Sequence, residues 1–291
     1  MPQTKWVNAW RYHLFAIIFS CGVVFWCNDY QSSKLNNVIE IPKASLSAFS
    51  SSKLLQKTYD LLCTDFEAVL GTENHWKSLK FQKNISIETY DGGVGLWPVY
   101  VRTTMVIDKP VHDVYKLFTY ENFAKTQNYI DPFYESSTQV NIDKQSVDKI
   151  IKKVTKPPLY RKRLFTLALL ERKQGQNFEV RFPINSVGMS SQLDKKQLMS
   201  SNKHNYYVVP KGTPVIAMFS VNNTNDNSID QDYIEARQQF IAWFIERDQK
   251  RSTHLEILMR VDLGLDIPRW LFLQTVGITG IWAMSKLLKL L

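Results

Sequence analysis

The chain has 291 residues, 44% of them hydrophobic and 13% aromatic, which is ample for a sizeable core and excludes a disordered protein. A formal net charge of +9 favours an anionic partner, but the basic residues are scattered and carry no RNA-binding signature or zinc-finger spacing. An anionic membrane surface is therefore expected in place of nucleic acid, and three cysteines are too few for a disulfide framework.

Residues 1–30 place Lys5 and Arg11 ahead of the uncharged apolar run 14–27. That pattern fits a cleaved signal peptide, an uncleaved signal anchor, or a buried first helix; the first two direct the rest of the chain to the secretory pathway, secreted, luminal or membrane-anchored. Asn84-Ile-Ser and Asn222-Asn-Thr are glycosylation sequons that such exposure would make available. Residues 31–52, rich in Ser and Asn and without a period, read as a linker. Leu54, Leu55, Tyr59, Leu62, Phe66, Val69 and Leu70 then recur at spacings of three and four, a helix that Gly71 ends; Cys63 within it reads as a buried small hydrophobe.

Strands take over near Trp76. Ile85 and Ile87 alternate, Asp91-Gly-Gly suits a hairpin turn, and Trp97, Val99, Val101, Thr103, Met105 and Ile107 keep a period of two. Pro110 opens a second helix, expected to run unbroken through Val114 and Phe123 to Ile130. Further strands are expected over 133–142, 146–154 and 163–172, around Phe178–Ile184 (Phe178, Val180, Phe182, Ile184), over 206–209 and 214–221, and as one strand over 233–246. Residues 186–205 are polar and read as a long loop or a short helix, and residues 222–231 as a loop.

The C-terminal end changes period. Leu255, Ile257, Met259, Val261 and Leu263 alternate along a strand; Gly264 permits a turn, Asp266 can cap a helix, and Pro268 suits only its first turn. No residue from Trp270 to Ser285 is charged, and Trp270, Leu273, Gly277, Ile281, Met284 and Leu288 form an apolar stripe that Leu271, Ile278 and Trp282 widen. This helix wants cover on most sides, yet the uncharged stretch is somewhat short for a membrane anchor and is interrupted by Gln274, Thr275 and Thr279. About nine strands and three helices account for residues 53–291 without a repeat or a second domain.

The closing strand, the Gly264-Leu-Asp-Ile-Pro268-Arg-Trp270 turn and the apolar helix resemble the end of START (StAR-related lipid transfer) domains. Val106, Pro110, Val114 and Leu117 or Phe118 resemble a second stretch of that family, and Pro158-Leu-Tyr-Arg-Lys-Arg-Leu-Phe a third, with Arg163 as its arginine. The sequence departs from the family in four places. Gln127-Asn128 stands where Trp-Asp is usual, Ala124 where phosphatidylcholine-transferring members carry an arginine, Leu164 where an aspartate follows the arginine, and Leu169 near a second arginine of sterol-binding members. The resemblance implies an α+β helix-grip fold, a curved antiparallel sheet of about nine strands around a C-terminal lid helix, with a lipid cavity between them. The function it implies is lipid transfer, with a phospholipid as ligand; a membrane-tethered scaffold or sensor without transfer activity, or a sterol carrier, are the alternatives.

No histidines fall at metal-ligand spacing, and no nucleophile elbow or paired carboxylates suggest catalysis, so the expectation is a monomeric binding module, not an enzyme, with no cofactor or metal beyond its lipid. The expected cavity walls are Val99, Val101, Met105, Phe182, Phe219, Phe244 and Met259. A headgroup needs buried polar partners, because an unpaired charge is prohibitive in an apolar cavity. Arg102, Arg163, Arg237 and Arg260 are the candidates, joined by Trp243, which with Arg237 matches the family's penultimate strand, and by Trp270, Ile278 and Trp282 of the lid.

Overall fold

Strict side-chain alternation on long strands decides the architecture, because it leaves two apolar faces that both need cover. In the computed structural model the strands are β1 (Ala44–Ser45), β2 (Trp76–Gln82), β3 (Ile85–Tyr90), β4 (Tyr100–Ile107), β5 (Tyr134–Val140), β6 (Lys149–Thr155) and β7 (Lys162–Lys173). They continue with β8 (Arg181–Pro183), β9 (Tyr206–Val208), β10 (Pro214–Asn222), β11 (Tyr233–Glu235), β12 (Arg237–Arg247) and β13 (Ser252–Asp262). The curved main sheet follows the order β2-β3-β4-β13-β12-β10-β7-β6-β5 with every neighbouring pair antiparallel, as expected.

The structure describes residues 44–45, 52–70, 75–90, 99–140, 149–157, 160–174, 181–183, 206–222, 232–247, 251–264 and 269–291, all within the compact unit Ile39–Leu291. The signal segment at 1–30, the Asp91 turn, Trp97, Pro158, Asp266 and Pro268 lie outside the described residues.

The helices are α1 (Ser52–Leu70), α2 (Val111–Lys116), α3 (Tyr120–Ile130) and α4 (Arg269–Leu290). On β12, Ile241, Trp243 and Ile245 point to the face under α1, where Leu62, Cys63, Phe66 and Leu70 are buried. Phe240, Ala242 and Phe244 point to the other face, under α2, α3 and α4. The same parity runs through the sheet: Val101, Met105, Leu255 and Ile257 belong to the α4 face, Tyr100 and Leu258 to the α1 face.

Four expectations are corrected. The helix expected from Pro110 to Ile130 is two helices, because Thr119 is extended (φ −64°, ψ 158°) and the Lys116 carbonyl accepts from the Thr119 hydroxyl at 2.8 Å and from Asn122 Nδ2 at 3.0 Å. The single strand over 233–246 changes partner at buried Ala236, whose N–H donates to Leu164 O: β11 runs parallel to β7, whereas β12 joins β10 and β13. Of the strand expected around Phe182, the described residues are β8, which pairs with β9 in a separate two-stranded sheet and not in the main one. Two residues of the segment read as linker, Ala44 and Ser45, pair in parallel with β10.

The fourth helix is also longer than its uncharged stretch. It has 22 residues, about 33 Å at 1.5 Å per residue, so it is long and apolar enough to cross a membrane, contrary to the sequence reading. It runs on through Lys286, whose ammonium lies over the rings of Tyr129, 4.9 Å away, and Trp282, 5.4 Å away. The helix lies along β2, β3 and α3. Glycines allow that approach: a Cβ on Gly277 would meet Leu79 Cγ at 3.2 Å, and one on Gly280 would meet Ile87 Cδ1 at 2.5 Å. Ile87 is fully buried and has little room to yield. Gly280→Val should therefore cost roughly 1–3 kcal/mol, the usual range for overpacking, read as a lower midpoint in urea unfolding of the full chain. An unchanged midpoint would mean that α4 is not seated this closely.

Candidate lipid-binding face

On the α4 face, the sheet offers apolar side chains from β3, β4, β13, β12 and β10, with Met259 half-buried among them. At one end of β7, Glu171 accepts from the Tyr115 hydroxyl and the Tyr120 N–H; at the other, polar groups meet where the end of α3 reaches β6. Lys153 lies on β6 two residues from Ile151, which faces α4. Its Nζ is 2.8 Å from Asp131 Oδ2, donates to Gln127 Oε1 at 2.7 Å, and lies 5.9 Å from the centre of the Phe165 ring. Asp131 follows α3, and its other oxygen, Oδ1, accepts from the Phe133 N–H.

Arg163, on β7, is only 1% exposed and shares this face with Phe165 and Leu169. Its Nη1 donates to Arg161 O at 2.8 Å, and its Nε has no hydrogen-bond partner. Burial, then the neighbouring Arg161, lowers its pKa from the ordinary value. Among the described residues no carboxylate forms an ion pair with it.

The α1 face holds the other charges. Arg102 Nε donates to Glu88 Oε2 at 2.7 Å, its Nη2 pairs with the same oxygen, and its Nε lies 3.8 Å from Glu256 Oε1. The guanidinium stacks 4.6 Å from the Trp76 ring centre. His254 Nε2 and Glu256 Oε2 are 3.0 Å apart and both residues are fully buried. Arg260 lies 4.9 Å from the Tyr100 ring centre and donates to its hydroxyl at 3.4 Å; that hydroxyl donates to Asp65 Oδ2 of α1 at 2.9 Å.

These positions sort the residues expected from the sequence. Arg163 and Met259 lie on the α4 face. Arg102, Arg237, Trp243 and Arg260 lie on the opposite face, as does Phe219, and cannot line a chamber under α4. Arg102 and Arg260 have partners there, and Arg237 stands half-buried opposite Asp262. Trp270, exposed, with Ile278 and Trp282, half-buried, stands outside the core cluster in which Ile281, Met284 and Leu287 seat the helix. Asn84 is half-buried and its Nδ2 donates to Val106 O. Sequence reasoning missed Lys153, although its signal was there: Ile151, Lys153 and Thr155 share one side of a strand, and Gln127 and Asp131 lie one helical turn apart.

A curved antiparallel sheet gripping a C-terminal helix, with a shorter helix pair on the same face, is the START-like fold. Solved structures agree. Human STARD10 is 13% identical over 78% of this chain and 76% of that one, with a TM-score of 0.54. The human StarD13 (DLC2) lipid transfer and protein localization domain is also 13% identical, over 82% and 96%, with a TM-score of 0.51. Human StAR-related lipid transfer protein 5 is 9% identical over 82% and 97%, with a TM-score of 0.55. At these identities the likeness is one of fold. No family model matches the sequence, and no curated protein matches it.

The α1-face network makes a pH prediction. Burial raises the Glu256 carboxyl above its ordinary 4.5, with the His254 hydrogen bond, the His254 charge and Arg102 opposing. A carboxyl with a raised folded value contributes stability that is complete below the unfolded value and lost as pH rises through the folded one. Glu256→Gln keeps the uncharged form, so the melting temperature of the variant minus that of the parent should grow as pH rises from about 4.5 to neutrality. Circular dichroism melts across that range decide it, and a flat or shrinking difference refutes the assignment.

Proposed function

We propose that this chain is a lipid carrier. It seats one phospholipid against the α4 face and moves it between membranes, with α4 as the cover that opens at a bilayer surface. The chain acts by binding and release, not as an enzyme. The observation that carries the reading is α4 itself: an apolar helix of which only Phe272, Gly277, Ile281, Met284 and Leu287 are buried, while Leu271, Leu273, Ile278 and Trp282 stay half-buried and Trp270 exposed. A helix left so incompletely covered has apolar surface to offer to lipid. Leu169 is buried on the α4 face where sterol-binding members have an arginine, which favours a phospholipid over a sterol.

The energetic need is clear. At about 0.8 kcal/mol per methylene, a lipid with ~30 methylenes faces a barrier on the order of 20 kcal/mol in water, and an apolar chamber lowers it. The net charge of +9 would bring the carrier to anionic membranes. The apolar, basic-led N-terminus fits delivery to the secretory pathway, secreted, luminal or tethered by residues 1–30.

Transfer of fluorescent phospholipid between vesicles tests the proposal. The full chain should move lipid, faster toward anionic acceptors, and the advantage should fade with salt, since exposed charges are screened over roughly 8–10 Å near physiological ionic strength. Truncation after Leu265 should abolish transfer, and Trp282→Glu should weaken it with less damage to the sheet. If the intact chain moves no common phospholipid or sterol, or moves as much without α4, the reading fails. Lipid retained but never transferred would favour a tethered sensor instead.

A further inference from the structure

Resting on the carrier reading, we propose that the bound lipid is net anionic: its phosphate, uncompensated by any ammonium in the headgroup, is held where Lys153 and Arg163 meet on the α4 face. In the β6–β7 register Lys153 stands opposite Phe165 and Thr155 opposite Arg163, so the two cations are diagonal neighbours on one face, with roughly 7–8 Å between their backbones. Both are at least nine-tenths buried, Lys153 at 8% and Arg163 at 1% exposure.

The charges at this corner do not balance. Two cations face one carboxylate among the described residues, and Asp131 already has one oxygen on Lys153 and the other on the Phe133 N–H. Gln127 supplies an acceptor to Lys153 but no charge. Among the described residues Arg163 Nη1 donates to the Arg161 and Lys162 carbonyls, at 2.8 and 3.5 Å, and its Nε has no partner. A buried guanidinium without a counter-ion is strongly unfavourable, and an unmade buried hydrogen bond adds to the cost. A phosphate oxygen placed against Arg163 Nε relieves both. Lys153, an ammonium with three donors, has two assigned to Asp131 and Gln127 and keeps one for the same anion.

The same arithmetic argues against a zwitterionic headgroup. A choline or ethanolamine would bring a third cation beside Lys153 and Arg163, with Asp131 already engaged. Phosphatidylglycerol and phosphatidate bring the phosphate alone.

The full chain is incubated with vesicles of equimolar phosphatidylglycerol and phosphatidylcholine, recovered, and its retained lipid quantified by mass spectrometry. The anionic lipid should be enriched over the vesicle ratio on the order of tenfold, the value for one charge-assisted hydrogen bond. Arg163→Gln should return the ratio toward that of the vesicles while total retained lipid stays, and Arg163→Lys should keep the preference. Should Arg163→Gln fail to melt cooperatively, Lys153→Gln takes its place with the same expectation. A parent ratio equal to that of the vesicles, or a ratio unmoved by these substitutions, overturns the proposal and leaves lipid carriage standing. Retention of neither lipid defeats the carrier reading itself. Glycerol phosphate that raises the melting temperature as much as phosphatidylglycerol would assign the corner to free phosphate and overturn its assignment to a lipid.

Discussion

A sheet covered by helices on both faces has no wet side to which a charge can be sent, and the rest of this structure depends on that constraint. Arginines on the inner strands β4, β13 and β7 must be buried, and each must find a counter-ion or bear the cost of lacking one. On the α1 face Arg102 has the carboxylates of Glu88 and Glu256, although its Nη1 has no hydrogen-bond partner, and Arg260 has the Tyr100 ring and hydroxyl. On the α4 face Lys153 has Asp131, and Arg163 has backbone carbonyls but, among the described residues, no carboxylate. The guanidinium without a carboxylate lies on the α4 face.

Much of this was legible in the sequence. Alternation located β3, β4 and β13 of the main sheet, and the Gly264 turn followed by an uncharged apolar run announced α4. Alternation does not say which side of a strand faces which helix, however, and that ambiguity put Arg102, Arg237, Trp243 and Arg260 on the wrong face. On β13 the reading was nearly sufficient: Leu255, Ile257 and Met259 share one side, so Arg260 had to be on the other. Only the assumption that a strand arginine must serve the cavity hid this.

What stayed illegible depends on contacts distant in sequence. The α2–α3 break is local chemistry at Thr119, yet the apolar period runs through it without a signal. The partner change at Ala236 is made by β7, some seventy residues earlier in the chain. Lys153 looked like one more basic residue in the run from Lys149 to Arg163, and only the fold reveals that it points inward at the end of α3.

The two faces are also held by different forces, and that difference suits a carrier. Trp76, Glu88, Arg102 and Glu256 come from four adjacent strands, β2, β3, β4 and β13, and Tyr100 extends the polar network to Asp65 of α1. Such directional, buried contacts are lost outright when their partners separate. The helix α4 is seated chiefly by apolar contacts to Leu79, Ile87 and the core beyond, contacts that a lipid tail or a bilayer can replace almost one for one. Opening α4 at a membrane would therefore exchange one apolar environment for another, whereas opening α1 would break hydrogen bonds with nothing to replace them. Under the proposed carrier function, the sheet and α1 would be the fixed part, and α4, whose contacts a membrane can reproduce, would be the cover.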